Sequence, residues 1–265
     1  MSVLKRNNVH VQGSGRPMVF VHGFGCDQNM WRLLAPHFAE NHKVVLLDLV
    51  GLGQSDLSAY DPKKYATLHG YAADVLEVVD ATCAGEPAIL VGHSVSAMIG
   101  MLADISAPGR FAAHAMIGPS PSYINDGDYI GGFERSDIEG LLEALESNYL
   151  GWSSNMAPAI MGAPDQPELG AELTNSFCRT DPEIAKQFAR ATFLSDHRAD
   201  LPLLKTRTLI LQCSDDMLAP LAVGEYLHRT LANSVLRVID NVGHCPHLSS
   251  PSASVAAIEE FLGTL

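Results

Sequence analysis

A serine, an acid and a histidine stand in this chain in the order and settings that nucleophilic catalysis requires. Ser94 lies in Gly92-His93-Ser94-Val95-Ser96, between an apolar run, Ala88-Ile89-Leu90-Val91, and the helix-like stretch Ala97 to Ala103. A strand, an abrupt turn and a helix with serine at the apex is the context that gives a G-x-S-x-G-type match its meaning. Here small Ser96 replaces the second glycine, and the string alone fits a buried serine at a helix start equally well. Further along, Thr208-Leu209-Ile210-Leu211-Gln212 reads as a strand followed by Asp215-Asp216. Val235-Leu236-Arg237-Val238-Ile239 reads as another, followed by Asn241-Val242-Gly243-His244. A serine hydroxyl is a weak nucleophile until a histidine takes its proton, and that histidine needs a carboxylate to fix its tautomer. All three groups follow strands, and in parallel sheets sites gather outside the carboxyl ends of the strands. Spacing leaves the choice between Asp215 and Asp216 open.

The N-terminal side supplies a fourth part. Met18-Val19-Phe20-Val21 leads into His22-Gly23-Phe24-Gly25, a glycine-flanked turn that can aim the backbone N–H of Phe24 at a carbonyl oxygen. The backbone N–H of Val95, just after the serine, is the second donor. Two such donors stabilise the negative charge that develops on attack.

These residues need a scaffold, and the pattern around them describes one. Val44 to Leu47 precedes a helical stretch from Tyr65 to Cys83, and Ala88 to Val91 precedes Ser94 to Asp104. Alternation of this kind marks an α/β chain with a mostly parallel sheet covered by helices on both faces. Asn8 to Gln12 and Met18 to Val21, separated by Gly13-Ser14-Gly15, predict an antiparallel hairpin at the start of the sheet. His114 to Gly118 reads as the next strand, but the one after it begins only near Arg207. The intervening residues exceed what a crossover needs. Their periodicity predicts helices over 137–150, behind a Ser136 cap, and over 167–177 and 182–194, each with proline near its start. The expected organisation is one domain, with a core of residues 1–124 and 201–265 and a helical lid over about 125–200.

Composition narrows the function. The chain has 265 residues, 47% of them apolar, enough for a sizeable core, and no run reaches the ~20 apolar residues that span a membrane. The first residues carry no apolar signal segment, so the expected location is cytoplasmic. Five scattered cysteines without a CxxC pair argue against a disulfide framework. A net charge of −13 disfavours nucleic acid and anionic membrane as partners. Residues 125–200 hold 14 acidic and 5 basic side chains, so most of the negative surplus lies on the expected lid.

Gly92 to Ser96, His22 to Asp27, Gly118-Pro119-Ser120-Pro121, Tyr129 to Glu134 and Gly243-His244-Cys245-Pro246-His247 together resemble the RsbQ-like bacterial stress-regulator hydrolases. Through them the chain resembles the plant karrikin and strigolactone receptors. The resemblance runs nearly end to end and implies an α/β-hydrolase fold with a four-helix lid over an apolar pocket. It implies Ser94, Asp216 and His244 as catalytic residues, and Phe24 and Val95 as oxyanion donors. It also implies Tyr123, Phe133, Met156, Phe193 and Leu218 as pocket walls. Its expected substrate is a small hydrophobic ester or lactone, with a regulatory protein partner at the lid. No cofactor is expected. His244-Cys245-Pro246-His247 is not read as a metal site, because proline interrupts the spacing and the sequence shows no second ligand cluster. His93 is expected to pack or hydrogen-bond rather than act as a base. The alternatives are a slow receptor and another enzyme of the same fold, such as a C–C bond hydrolase.

Overall fold

The computed structural model describes residues 2–265. Its strands are β1 (His10–Gln12), β2 (Arg16–Val21), β3 (His42–Leu47), β4 (Ala88–His93), β5 (Phe111–Ile117), β6 (Arg207–Asp215) and β7 (Ser234–Val242). They form one sheet in the order β1-β3-β2-β4-β5-β6-β7, parallel throughout except for β1. Every residue of β4 is buried, as a strand covered on both faces requires, so these strands read as continuous apolar runs rather than alternating ones. The two faces still separate by the period of two. Met18 and Phe20 enter one core cluster, and Val19 and Val21 enter the other.

The helices, in chain order, are α1 (Val3–Arg6), α2 (Ala35–Phe38), α3 (Leu68–Thr82), α4 (Val95–Ser106), α5 (Arg135–Ser147), α6 (Tyr149–Met161), α7 (Pro167–Arg179), α8 (Pro182–Phe193), α9 (Leu221–Thr230), α10 (Pro246–Ser249) and α11 (Pro251–Leu262). Helices α3, α4 and α9 put Val75, Ile99 and Leu227 into the cluster built on Val19 and Val21. Helices α2, α10 and α11 put Phe38, Leu248 and Phe261 into the one built on Phe20. Among the described residues no helix is long and apolar enough to cross a membrane.

Two expectations change. The N-terminal hairpin does not form, because β1 pairs antiparallel with β3, Val11 opposite Val45, and β3 lies between β1 and β2. Two short runs beside a glycine turn look alike whether they pair or are parted by a later strand. Between β5 and β6, periodicity marks three helices where the structure has four. The first ends at Ser147, and Asn148 starts α6 by accepting a hydrogen bond from Gly151 N–H. Tyr149 therefore belongs to α6, although its spacing continues the apolar stripe of α5. The cap of α5 is Glu134 rather than Ser136, in a reciprocal capping box with Asp137.

Candidate active site

Ser94 sits between β4 and α4 with φ 57° and ψ −124°, a conformation that costs a non-glycine residue about 1–3 kcal/mol. The turn is held in it on both sides. Ser94 N–H donates to Ile117 O at 2.8 Å, and Ser94 O accepts from Ala97 N–H at 3.0 Å. Gly92 is needed because the helix folds back so closely that a Cβ there would come within 2.6 Å of Ser96 O. Ser96, which replaces the more usual glycine, donates its hydroxyl to His22 O and so ties the turn to the loop after β2.

The other two groups converge on Ser94 from β6 and β7. His244 Nε2 lies 2.7 Å from Ser94 Oγ, and His244 Nδ1 lies 2.7 Å from Asp216 Oδ2. A carboxylate can only accept, so Nδ1 carries the proton and Nε2 presents its lone pair to the serine. All three side chains are buried. Burial works to raise the Asp216 pKa, but His244 and the N–H groups of Leu218 and Ala219 outweigh it and hold the carboxyl below its usual value. Those two N–H groups bond to Oδ1 at 2.9 and 3.1 Å. Asp215, the neighbour spacing could not exclude, is exposed and meets the site only through its backbone, where its carbonyl accepts from Gly243 N–H at 2.7 Å.

The His244 backbone is fixed from two directions. Its N–H donates to Ile160 O of α6, and its carbonyl accepts from His93 Nε2–H, both at 2.8 Å. Gly243 has φ 104°, and a Cβ there would stand 1.9 Å from Met161 O. The inserted helices therefore touch the histidine loop backbone to backbone. Burial, then the neighbouring His244, lowers the His93 pKa to about 3, so its ring is neutral. His93 hydrogen-bonds, as the sequence implies.

Phe24 follows Gly23 in the loop after β2. Val95 is the first residue of α4, where an N–H has no acceptor within its own helix. The ring of Phe24 is clasped by the insert, edge-on to Trp152 and Phe177 and stacked on Phe188 at 5.6 Å. Nothing in the sequence marks Trp152, Phe177 and Phe188, because a stripe of aromatics at helical spacing reads only as core.

A cavity of about 20 Å³ adjoins Ser94 and His244, room for about one water molecule. Of the expected walls, Tyr123, Phe193 and Leu218 line it, together with Phe24. Phe133 and Met156 do not; both are partly buried and pack against the core cluster instead. Cys26, Leu173, Phe177 and Thr192 take part as well. Tyr123 Oη lies 3.5 Å from Ser94 Oγ, and burial pushes its pKa to about 12, so it stays protonated. The larger cavity, about 1020 Å³, is an open groove by Asp27, Arg32, Asp48 and Arg179 that contains none of Ser94, Asp216 or His244.

The arrangement can relay a proton from a serine hydroxyl to an imidazole backed by a carboxylate, in a closed apolar chamber. Comparison with known proteins agrees in kind. Residues 18–258 match the alpha/beta hydrolase family. A probable esterase from Oryza sativa subsp. japonica is 40% identical, over 97% of this chain and 95% of its own length. The karrikin insensitive 2 receptor CA of Petunia hybrida is 39% identical, over 97% of this chain and 95% of its own. A solved hydrolase from Oleispira antarctica has a TM-score of 0.95 at 42% identity, covering 99% of this chain and 97% of that one. With this match and this sheet order, the chain belongs to the alpha/beta hydrolase family.

Proposed function

We propose that the protein is a serine hydrolase cleaving small hydrophobic esters or lactones through an acyl-enzyme. The observation that carries this reading is the continuous Ser94–His244–Asp216 hydrogen-bond line, 2.7 Å at each link, with the serine on a strained turn. In this reading His244 Nε2 takes the Ser94 proton as Oγ attacks the carbonyl carbon. The N–H groups of Phe24 and Val95 receive the oxyanion, and losing one such donor costs about 3–4 kcal/mol of barrier. The tetrahedral intermediate collapses, His244 returns its proton to the leaving alcohol, and Ser94 keeps the acyl group. Water, deprotonated by His244, then releases the acid. The test is Ser94→Ala, which should fold normally yet lose both p-nitrophenyl acetate turnover and labelling by a sulfonyl fluoride. Labelling that persists in the variant would overturn the assignment.

A second reading is favoured by specific contacts. In it the protein is a regulator or receptor, of the kind the stress-regulator resemblance implies, whose ligand alters the inserted helices for a protein partner. Those helices touch the His244 loop directly at Ile160 and Met161, and a ligand signals only by binding two states differently. Their acidic outer face suits a basic partner surface. A cytoplasmic setting accords with five unpaired cysteines, four of them buried. Fast ester turnover with no partner captured from the native cell, by wild type or by a variant reversing Glu139, Glu143 and Glu146, excludes this second reading.

A further inference from the structure

Sequence spacing gave Cys245 and His247 no other metal-binding neighbours, but the fold supplies one. His93, at the end of β4, is brought against both, and one donor atom from each of the three lies within 4.8 Å of the others. All three residues are buried, His247 completely. The rings of His93 and His247 are 4.5 Å apart, centroid to centroid, and Trp31 closes the far side of His247 at 4.9 Å.

Their hydrogen bonding is incomplete in a way that points to a ligand. His93 Nε2 faces the His244 carbonyl, which only accepts, so Nε2 carries the proton and Nδ1 is a bare lone pair. That Nδ1 is buried and unpartnered, and so are both ring nitrogens of His247. Buried polar atoms without partners are rare in folded proteins, and each calls for an explanation. Gly23 lets the chain pass close beside this nitrogen, where a Cβ would come within 2.5 Å of Nδ1. One donor atom from each of the three residues therefore shares a buried space, and His93 Nδ1 and one ring nitrogen of His247 are lone pairs without a protein partner.

We propose that His93, Cys245 and His247 form a buried Cu(I) site adjoining the Ser94–His244 pair. Thiolate and imidazole are the donors that soft Cu(I) takes. Charge decides against zinc: one thiolate with Cu(I) is neutral, whereas one thiolate with Zn²⁺ leaves a buried positive charge. Asp216, the carboxylate that acts on both His93 and Cys245, is committed to His244, Leu218 and Ala219. Zinc in structural sites also takes four ligands, and three converge here. On binding, the Cys245 S–H bond is given up, a Cu–S bond forms, and the proton leaves to solvent. The copper stays Cu(I), and no electron moves. Because His93 precedes Ser94 and Cys245 follows His244, the ion would cross-link the serine turn to the histidine loop.

The test is titration of the full chain with Cu(I) against a competing colorimetric chelator under anaerobic conditions, repeated with Cys245→Ser, His247→Phe and Cys178→Ser. Wild type and Cys178→Ser should each retain one Cu(I), release one proton, melt several degrees higher when loaded, and show one sulfur and two nitrogen neighbours by X-ray absorption. Cys245→Ser and His247→Phe should bind weaker by roughly two orders of magnitude, at least the loss expected when even an outer-shell partner is removed. If either variant fails to fold by circular dichroism, the other and the absorption spectrum carry the decision. No copper retained by wild type, equal retention by Cys245→Ser, or Zn²⁺ held as tightly as Cu(I) would each overturn the proposal.

Discussion

Replacing Asp216 by asparagine changes one atom and should reverse the tautomer of His244. Oδ1 of Asp216 accepts from two backbone N–H groups, Leu218 and Ala219, while Oδ2 faces His244 Nδ1. In Asp216→Asn the amide oxygen must stay on the side of the two N–H groups, because turning it would leave two buried donors facing an NH₂, at about 1–3 kcal/mol each. The NH₂ then points at Nδ1 and forces it to accept, which moves the imidazole proton to Nε2. Nε2 can no longer take the Ser94 proton. In serine proteases the same change lowers kcat by ~10⁴, or about 5.4 kcal/mol at 1.36 kcal/mol per decade. Asp215→Asn, on an exposed side chain, should stay within about twofold, the range of surface substitutions. The assay is kcat for p-nitrophenyl acetate, with folded fractions matched by circular dichroism. A larger loss in Asp215→Asn, or an Asp216→Asn enzyme with more than a tenth of wild-type kcat, would refute the reasoning.

Three further outcomes follow from the same geometry. At φ 57° Ser94→Gly should be more stable than Ser94→Ala by about 1 kcal/mol, since only glycine adopts that backbone without strain; denaturant midpoints read the difference, and equal midpoints count against strain at the turn. The bulky side chains of Phe24, Tyr123, Phe193 and Leu218, which close around Ser94, should favour acetate over decanoate esters of p-nitrophenol, and efficient decanoate cleavage would contradict a closed chamber. Burial holds His93 at a pKa of about 3 and His247 well below 6.5, so the unfolded chain binds protons the native chain refuses. Stability is then complete above pH 6.5 and falls as pH drops below it, by up to about 1.4 kcal/mol per pH unit per histidine. Asp216, whose pKa is lowered instead, stabilises above 3.8 and loses that only as pH falls through its folded value, so it does not act in this window. An unchanged melting temperature between pH 7 and pH 5 would overturn the histidine argument.

The inner strands were legible because burial on both faces writes each one as an apolar run. The predicted Ala88 to Val91 lies inside β4, and Thr208 to Gln212 lies inside β6. What was misread lay where local pattern is shared by two arrangements. The β1 segment has the same residues whether it pairs with β2 or with β3, and only the crossover of β3 decides. Tyr149 fits the stripe of α5, yet Asn148 breaks the helix ahead of it. Phe133 and Met156 are apolar residues of the insert, like the true lining residues Leu173 and Phe177. Which face of a helix meets a cavity is a matter of tertiary packing.

The sequence by itself determined the α/β order of elements, the placement of Ser94, Asp216 and His244 after strands, and a glycine turn before Phe24. Each of these is local, a strand followed by a turn with a particular residue type. Tertiary structure decided between Asp215 and Asp216, because only one of two neighbours on an extended chain can point inward. It decided that α6 carbonyls fix the histidine loop and that aromatics of the insert clasp Phe24. It also brought His93 to Cys245 and His247, about 150 residues away. Those contacts join segments far apart in the chain, and no local pattern records them because what specifies them is the sum of packing over the whole sheet.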